Sequence, residues 1–277
     1  MRVSIVTVSF NQRRWLRGAI ESVLAQDYPD IEFIVVDPGS SDGSRELIES
    51  YGQRVTRRIF EPDDGPAHGL NHGLAVATGE VFAYVNADDA LLPGAVAAAV
   101  AALTRDQRCA AVVGHGWIVD GDGRPVRHMI SAPTSPWLYV YGVGVVAQQS
   151  TFIRMDWVRT VGGFNLGNKV CWDAELLLEI MLAGGEVRIL DEFWSIFRIY
   201  PGSITGSQKL AALSESLHAG YFRKVIGRDR RGLDALISNV LRLVRWIRQP
   251  RWAIARISDK WRGPPCVSLP AYVVPDV

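Results

Sequence analysis

The feature that most constrains the fold is a regular alternation of apolar, β-branched runs with helical segments in the first hundred residues. Residues 3–9, 31–36 and 81–85 are short runs rich in valine and isoleucine. Residues 13–26 carry apolar side chains at helical spacing, and Asn11 stands where an N-cap is expected. Strands that alternate with helices form a mainly parallel sheet with crossover helices on its faces. The alternation therefore predicts an α/β protein.

The second half of the chain is less regular than the first. Strand patterns at 110–119 and 124–130 flank a turn, and a helix at 173–183 precedes two further strands predicted at 187–190 and 193–199.

Helical patterning alone remains from about residue 207 onward. We therefore expect a catalytic or binding domain over residues 1–206 and a helical C-terminal extension over residues 207–277.

Polar and acidic side chains follow each strand of the predicted parallel sheet. They are Phe10-Asn11, Asp37, Asp63-Asp64 and Asn86-Ala-Asp88-Asp89. Asp is common in turns, so any one of them has an ordinary explanation. In an open parallel sheet, however, ligands bind beyond the carboxyl ends of the strands, where these side chains converge. Adjacent carboxylates suit Mg²⁺ or Mn²⁺, which can stabilise a departing diphosphate.

Two common phosphate-binding motifs are missing from the sequence. Neither GxxxxGK[ST] nor a GxGxxG after the first strand occurs. This argues against a P-loop nucleoside triphosphatase and a dinucleotide-dependent enzyme, and favours phosphates held through a metal ion.

Several segments in order carry a resemblance to one family. VSIVTVSFNQ, IEFIVVDPGSSDGS, EPDDGPAHGLNHGLAVATGE and VFAYVNADD are followed by QQSTFIRMDWVRTVGGFN, WDAELLLEIMLAGG and FRIYPGSIT. Over roughly residues 2–206 the chain resembles the family 2 glycosyltransferases of bacterial type, which invert configuration. The resemblance implies the GT-A fold, a Rossmann-like, mostly parallel sheet flanked by helices.

The resemblance also implies roles for residues of the donor site. Phe10 would pack on the nucleotide base and Asp37 would hydrogen-bond it. Asp63 and Asn71 match further nucleotide-sugar contacts, and Asp88 would reach the ribose or the metal shell.

The metal ligand and the general base follow from the same resemblance. Asp89, with Asp88, would coordinate Mn²⁺ or Mg²⁺, and Asp173 would deprotonate the acceptor hydroxyl, with Glu175 as the alternative base. By its position alone, Asp173 is better explained as a first-turn acid that stabilises a helix, and only the resemblance favours the base.

Charge is distributed unevenly along the chain. The formal net charge is only +1, but residues 221–277 hold 12 basic and four acidic residues. Apolar side chains and tryptophans are interleaved with the arginines there. This pattern fits a helix lying on an anionic membrane surface through residues 221–262, and equally a helix packed on the core or a homodimer contact.

These observations predict a metal-dependent inverting glycosyltransferase. It would use a UDP- or GDP-linked sugar and a glycan or lipid-linked acceptor. A non-catalytic nucleotide- or glycan-binding protein and a membrane-surface adaptor are the alternatives, and no nucleic-acid partner is expected. Three scattered cysteines and the lack of a long apolar run predict a cytoplasmic protein, peripheral on the inner face of the plasma membrane if the basic segment binds lipid.

Overall fold

A computed structural model describes residues 1–207, 211–261 and 267–275. Its N-terminal half alternates strands with helices as predicted. The elements are β1 (Val3–Val8), α1 (Arg13–Leu24), β2 (Ile31–Val36), α2 (Ser44–Ser50), β3 (Arg57–Ile59), α3 (Pro66–Val76), β4 (Val81–Asn86), β5 (Ala90–Leu91) and α4 (Ala95–Arg105).

The C-terminal half contributes strands to the same sheet and then becomes helical. Its elements are β6 (Cys109–Val119), β7 (Pro125–Met129), α5 (Pro136–Val140), β8 (Thr151–Arg154), α6 (Met155–Thr160), α7 (Trp172–Leu182), β9 (Glu186–Arg198), α8 (Ile204–Ser207), α9 (Ala211–Ile226), α10 (Gly232–Arg248) and α11 (Pro250–Trp261). Within the described ranges, no helix is long and apolar enough to cross a membrane.

The strands form one mixed sheet in the order β3-β2-β1-β4-β8-β6-β9-β5, and β7 pairs with β6. The β3-β2-β1-β4 part is parallel, as predicted, and β8 is antiparallel to both of its neighbours. From β1 the chain winds to β2 and β3 on one side and then to β4 on the other. The carboxyl ends of β1 and β4 therefore flank a switch point, where open sheets bind ligands.

Two local predictions are wrong. Asn11 does not cap α1, since the residue lies in the left-handed region (φ 53°) and its side-chain oxygen accepts a hydrogen bond from the backbone N–H of Ser41. The strands predicted at 187–190 and 193–199 form the single strand β9. Residues 190–192 bulge opposite Gly114, so the charged pair Asp191-Glu192 interrupts the alternation without ending the strand.

Apolar side chains cover both faces of the sheet. Helices α1, α2 and α4 pack on one face, and α3, α6 and α7 on the other. A further cluster joins Val140 and Tyr141 at the end of α5 to Leu178 of α7 and to Tyr221 and Phe222 of α9. Helix α9 therefore packs on the part of the protein that contains the sheet, although it follows residue 206.

Residues 267–275 return to the sheet as a C-terminal strap. The hydroxyl of Tyr272 donates a hydrogen bond to the carbonyl of Leu91 at 2.9 Å. A Cβ at Gly123 (φ 84°) would lie 2.7 Å from the Val273 carbonyl oxygen, so only glycine fits where the strap passes.

Candidate active site

A cleft of about 930 Å³ opens at the carboxyl ends of the parallel strands. Three of the four strand ends that the sequence marked contribute a marked residue to its wall: Phe10 after β1, Asp63 after β3, and Asn86 and Asp88 at the end of β4. After β2 the wall is formed by Pro38, and the marked residue Asp37 does not line it. Asp173 and residues of β9, α5 and α9 complete the wall. Of the polar groups predicted to converge at this edge, Asp63, Asn86 and Asp88 line the cleft.

Phe10 lies at the mouth of the cleft with 59% of its surface exposed. Its neighbour Asn11 ties the two adjacent loops together, because its backbone N–H donates to the Ser40 hydroxyl at 2.8 Å. A large exposed aromatic ring on an anchored loop provides a flat apolar surface for a planar ring.

Asp37 is completely buried next to Pro38. Its Oδ1 accepts hydrogen bonds from the backbone N–H groups of Gly39 and Ser40, at 3.0 and 2.8 Å. Its Oδ2 is buried and finds no hydrogen-bond partner within the described residues. A buried carboxylate oxygen is costly to leave unpaired, which favours a hydrogen bond from a ligand. Pro38 lines the cleft and Asp37 does not, so the carboxyl group must first become accessible.

Asp63 and Asn71 differ in their surroundings. Asp63 lines the cleft, and its Oδ1 accepts a hydrogen bond from the backbone N–H of Gly65 at 2.9 Å. Asn71 does not line the cleft, and its amide forms two hydrogen bonds with the backbone of Phe164, at 2.7 and 2.9 Å. The structure therefore uses Asn71 to hold the segment after α6 rather than presenting it to the cleft.

Asp88 and Asp89 are adjacent in sequence but have different environments. Asp88 lines the cleft, and its Oδ2 accepts a hydrogen bond from the Tyr200 hydroxyl at 3.1 Å. Asp89 is 2% exposed and lies behind the cleft wall. Burial first, and then the negative charge of Asp88, raise the pKa of Asp89 to about 8.

Both oxygens of Asp89 already have partners. Oδ1 accepts from the backbone N–H of Arg198, and Oδ2 accepts from the side-chain amides of Gln149 and Asn86, each at 3.0 Å. Metal coordination by Asp89 stays a prediction, and it requires some of these bonds to open. The geometry presents Asp88 to the cleft instead.

The acids around β4 can hold a divalent cation only with help from a ligand. No group of three or more His, Cys, Asp or Glu side chains collects at one point in the described part of the chain. Mg²⁺ is commonly bound by one or two carboxylates together with phosphate oxygens and water. Asp88 at the wall, with Asp89 behind it, fits such a site, and a cation there would favour the deprotonated forms of both acids.

Arg198 is buried directly beneath these acids. Its guanidinium donates hydrogen bonds to the backbone carbonyls of Asp88, Asp120, Gly121 and Val273, at distances of 2.7 to 3.3 Å. The side chain thus joins the loop after β4 to the C-terminal strap. It positions the acids and leaves few donors for a ligand.

Asp173 and Glu175 both lie in the first turn of α7, but only Asp173 lines the cleft. Burial raises the pKa of Asp173, against the opposing effect of two backbone N–H groups. Glu175 accepts hydrogen bonds from the side chains of Asn165 and Asn168, at 3.0 and 2.7 Å. Glu175 therefore orders the loop before α7, while Asp173 is the carboxyl group available to the cleft.

The far end of the cleft contains residues that the sequence did not single out. Tyr139 of α5 and His218 of α9 line it with their rings 5.8 Å apart. The Tyr139 hydroxyl is buried and makes no hydrogen bond within the described residues. Burial lowers the pKa of His218, which keeps it neutral. Neither residue belongs to a motif, and 79 positions separate them, so only the fold brings them together.

The family is decided by sequence. The profile of glycosyl transferase family 2 matches residues 4–161, more than half of the chain. The chain belongs to glycosyl transferase family 2. An uncharacterized glycosyltransferase of Mycobacterium tuberculosis is 32% identical to it over 191 residues, covering 68% of this chain and 71% of that protein.

Solved structures of other glycosyltransferases have a similar fold. Staphylococcus aureus TarS 1–349 in complex with UDP-GlcNAc shares a TM-score of 0.64 and 17% identity with this glycosyltransferase, covering 94% of this chain and 75% of that one. The mannosyltransferase PcManGT from Pyrobaculum calidifontis, in complex with GDP-Man and Mn²⁺, has a TM-score of 0.62 and 19% identity with this chain. The match covers 98% of this chain and 77% of PcManGT. These likenesses confirm the GT-A fold.

Some relatives are much longer than the matching region. An uncharacterized glycosyltransferase of Nostoc is 41% identical over 96 residues, which cover 34% of this chain and only 30% of that protein. The chain spans 43% of the length of the longer TarS structure.

Proposed function

We propose that this family 2 glycosyltransferase is a metal-dependent, inverting enzyme. It transfers a sugar from a UDP- or GDP-linked donor to a hydroxyl group of a glycan or lipid-linked acceptor. The observation that carries the proposal is that one cleft holds the exposed ring of Phe10, the carboxylate of Asp88 and the half-buried carboxyl group of Asp173. Two neighbours of the same fold were solved with UDP-GlcNAc and with GDP-Man and Mn²⁺, which supports this donor class.

The nucleotide lies at the Phe10 end of the cleft. Its base packs on the Phe10 ring and donates a hydrogen bond to the unpaired Oδ2 of Asp37. Asp63 lines the same end and contacts the donor.

The diphosphate lies near Asp88. Asp88, with Asp89 behind it, would hold Mn²⁺ or Mg²⁺, which would supply positive charge to the leaving diphosphate. Tyr200 orients Asp88 through its hydroxyl, and Arg198 fixes the loop that carries both acids.

Asp173 acts as the general base. Its carboxylate takes the proton from the acceptor hydroxyl as that oxygen attacks the anomeric carbon. The bond from the anomeric carbon to the diphosphate breaks on the opposite face, and the electron pair leaves with the nucleotide diphosphate, so configuration inverts. A pKa raised by burial makes Asp173 a better proton acceptor than an ordinary aspartate.

The test replaces Asp173 by asparagine and, as the matched control, Glu175 by glutamine. We expect Asp173→Asn to keep nucleotide binding and to lower kcat about 10²- to 10⁴-fold, because proton transfer to a positioned base is lost. Glu175→Gln keeps one of the two oxygens that accept hydrogen bonds from Asn165 and Asn168 and leaves the cleft wall unchanged, so it should retain most of the activity.

Unchanged turnover in Asp173→Asn would rule out this base. If the wild-type protein binds a nucleotide but turns over no sugar donor with any acceptor, the protein is a non-catalytic nucleotide- or glycan-binding module instead.

A further inference from the structure

Helix α10 presents a continuous apolar face to solvent. Leu233, Leu236, Val240, Leu243 and Ile247 follow one another at helical spacing, and between 51% and 72% of each side chain is exposed. We call these five residues the outer stripe. Single exposed apolar residues are ordinary on a protein surface, but an unbroken row over four turns marks an interaction site.

The opposite side of α10 is fixed to the catalytic body. Ile237 and Leu241 pack against the cluster formed by α5, α7 and α9. The guanidinium of Arg245 donates a hydrogen bond to the carbonyl of Val143 at 2.7 Å. The sequence pattern placed Arg242, Arg245 and Arg248 on one helical face, and the structure turns Arg245 of that face inward. The outer stripe therefore points away from the protein because of these contacts.

Helix α11 adds further exposed apolar side chains. Ile254, Ile257 and Trp261 are 63%, 47% and 81% exposed. Asp259 anchors this helix to β7 through the His128 ring, 2.6 Å away. Both helices are thus held in place while their large apolar side chains meet solvent.

The charge near the outer stripe identifies its partner. The acids Asp229 and Asp234 are paired with Arg223 and Arg228, at 2.9 and 2.7 Å.

Positive charge remains along α10. Arg231, Arg242 and Arg248 are exposed, and no described acidic side chain pairs with them. A surface that combines an apolar row with excess positive charge is complementary to an anionic bilayer. A second copy packed on the same face would bring like charges together, which disfavours a dimer.

We propose that the outer stripe docks on an anionic lipid bilayer and that the acceptor is presented from that surface. Arg245 bonds Val143, whose neighbours Gly144 and Val145 line the far end of the cleft. Docking therefore places the Tyr139–His218 end of the cleft close to the membrane. The acceptor part of this inference rests on the proposed transfer reaction, while the docking part does not.

Co-sedimentation of the full chain with vesicles tests docking. One set of vesicles contains phosphatidylglycerol with phosphatidylcholine, and the other contains phosphatidylcholine alone. We compare the wild type with Leu236→Gln/Leu243→Gln/Ile247→Gln. The matched control, Val126→Gln/Leu182→Gln, changes exposed apolar residues away from α10.

The wild type and the control should bind the anionic vesicles, and binding should weaken with added salt. The outer-stripe variant should bind at least about tenfold more weakly, because three side chains no longer enter the apolar layer. Equal binding by wild type and variant would overturn the proposal. A lack of wild-type binding to the anionic vesicles would also overturn it, and a dimer seen by light scattering that the variant abolishes would then identify the outer stripe as a contact between two copies.

Nucleotide-dependent thermal stabilisation of the same variant separates the two proposals. It should equal that of the wild type, because no outer-stripe residue lines the cleft. If the variant loses vesicle binding but keeps nucleotide binding, the glycosyl-transfer proposal is unaffected. If no nucleotide stabilises the wild type, the glycosyl-transfer proposal is contradicted and the docking proposal is unaffected.

Discussion

The sheet region and the two last long helices treat apolar side chains in opposite ways. Among the described side chains of residues 1–207, six large hydrophobic ones are exposed, whereas α10 and α11 alone expose ten. The apolar side chains of the sheet region are buried within the protein itself, because helices cover both faces of the sheet. Only some of the apolar side chains of α10 and α11 are covered by the rest of the protein. Their exposed apolar side chains are therefore explained only by a surface outside the chain.

The charges differ between the two regions in the same sense. Residues 1–220 hold 18 basic and 25 acidic residues, and residues 221–277 hold 12 and four. Acids near the sheet edge, such as Asp88, line a cleft, while the later arginines surround an apolar face. The comparison separates a part built to bind a cation and a nucleotide from a part built to meet an anionic surface.

A substitution in helix α9 tests whether the sheet region ends before this helix or includes it. Phe222→Ala should lower the free energy of unfolding by about 3–5 kcal/mol, because its fully buried ring fills the cluster shared with α5 and α7. Phe10→Ala, which truncates an exposed phenylalanine, should change it by less than about 0.5 kcal/mol.

Denaturant unfolding followed by circular dichroism measures both variants. Two separate transitions, with only the weaker one shifted in Phe222→Ala, would place α9 in an independent extension that begins at residue 207.

Arg198 tests the connection between the acidic loop and the C-terminal strap. Arg198→Met should cost about 1–3 kcal/mol or more, since the carbonyls of Asp88 and Val273 lose a buried donor. Arg188→Met removes a half-exposed arginine paired with Asp106 and should cost about 1 kcal/mol or less. Equal thermal shifts in the two variants would show that the buried bonds contribute little.

The activity of the cleft should depend on pH through Asp173. Its carboxylate must be deprotonated to act as a base, and burial raises its pKa. kcat/KM should therefore rise with pH, with an inflection above the usual value of about 3.9, and fall about tenfold per pH unit below it. A profile that stays flat down to the ordinary aspartate range would contradict a buried base at this position.

Local patterns were sufficient for the first half of the fold. β-branched runs predicted β1, β2 and β4 to within a residue, and Asp63 and Asp88, which the sequence marked at strand ends, line one cleft. Period-two and helical spacing report burial directly, which is why these elements were predictable.

The remaining features depend on contacts that sequence spacing does not encode. Asn71 bonds the backbone of Phe164, 93 positions away, and so faces away from the cleft. Because of its bulge, the single strand β9 has the sequence pattern of two strands. Tyr139 contacts His218 only because α9 packs on α5. The sequence also could not predict which face of α10 is exposed, because its amphipathic pattern is compatible with burial of either face.

A thermal-shift screen tests the central claim most directly. The full chain is heated with UDP, GDP, TDP or CDP, each with and without Mn²⁺ or Mg²⁺, and Asp88→Asn is measured beside the wild type. The account predicts that UDP or GDP raises the Tm of the wild type only when the metal is present, and that Asp88→Asn loses most of that shift. Equal shifts without metal, or no shift with any nucleotide, would contradict a metal-dependent nucleotide-sugar site in this cleft.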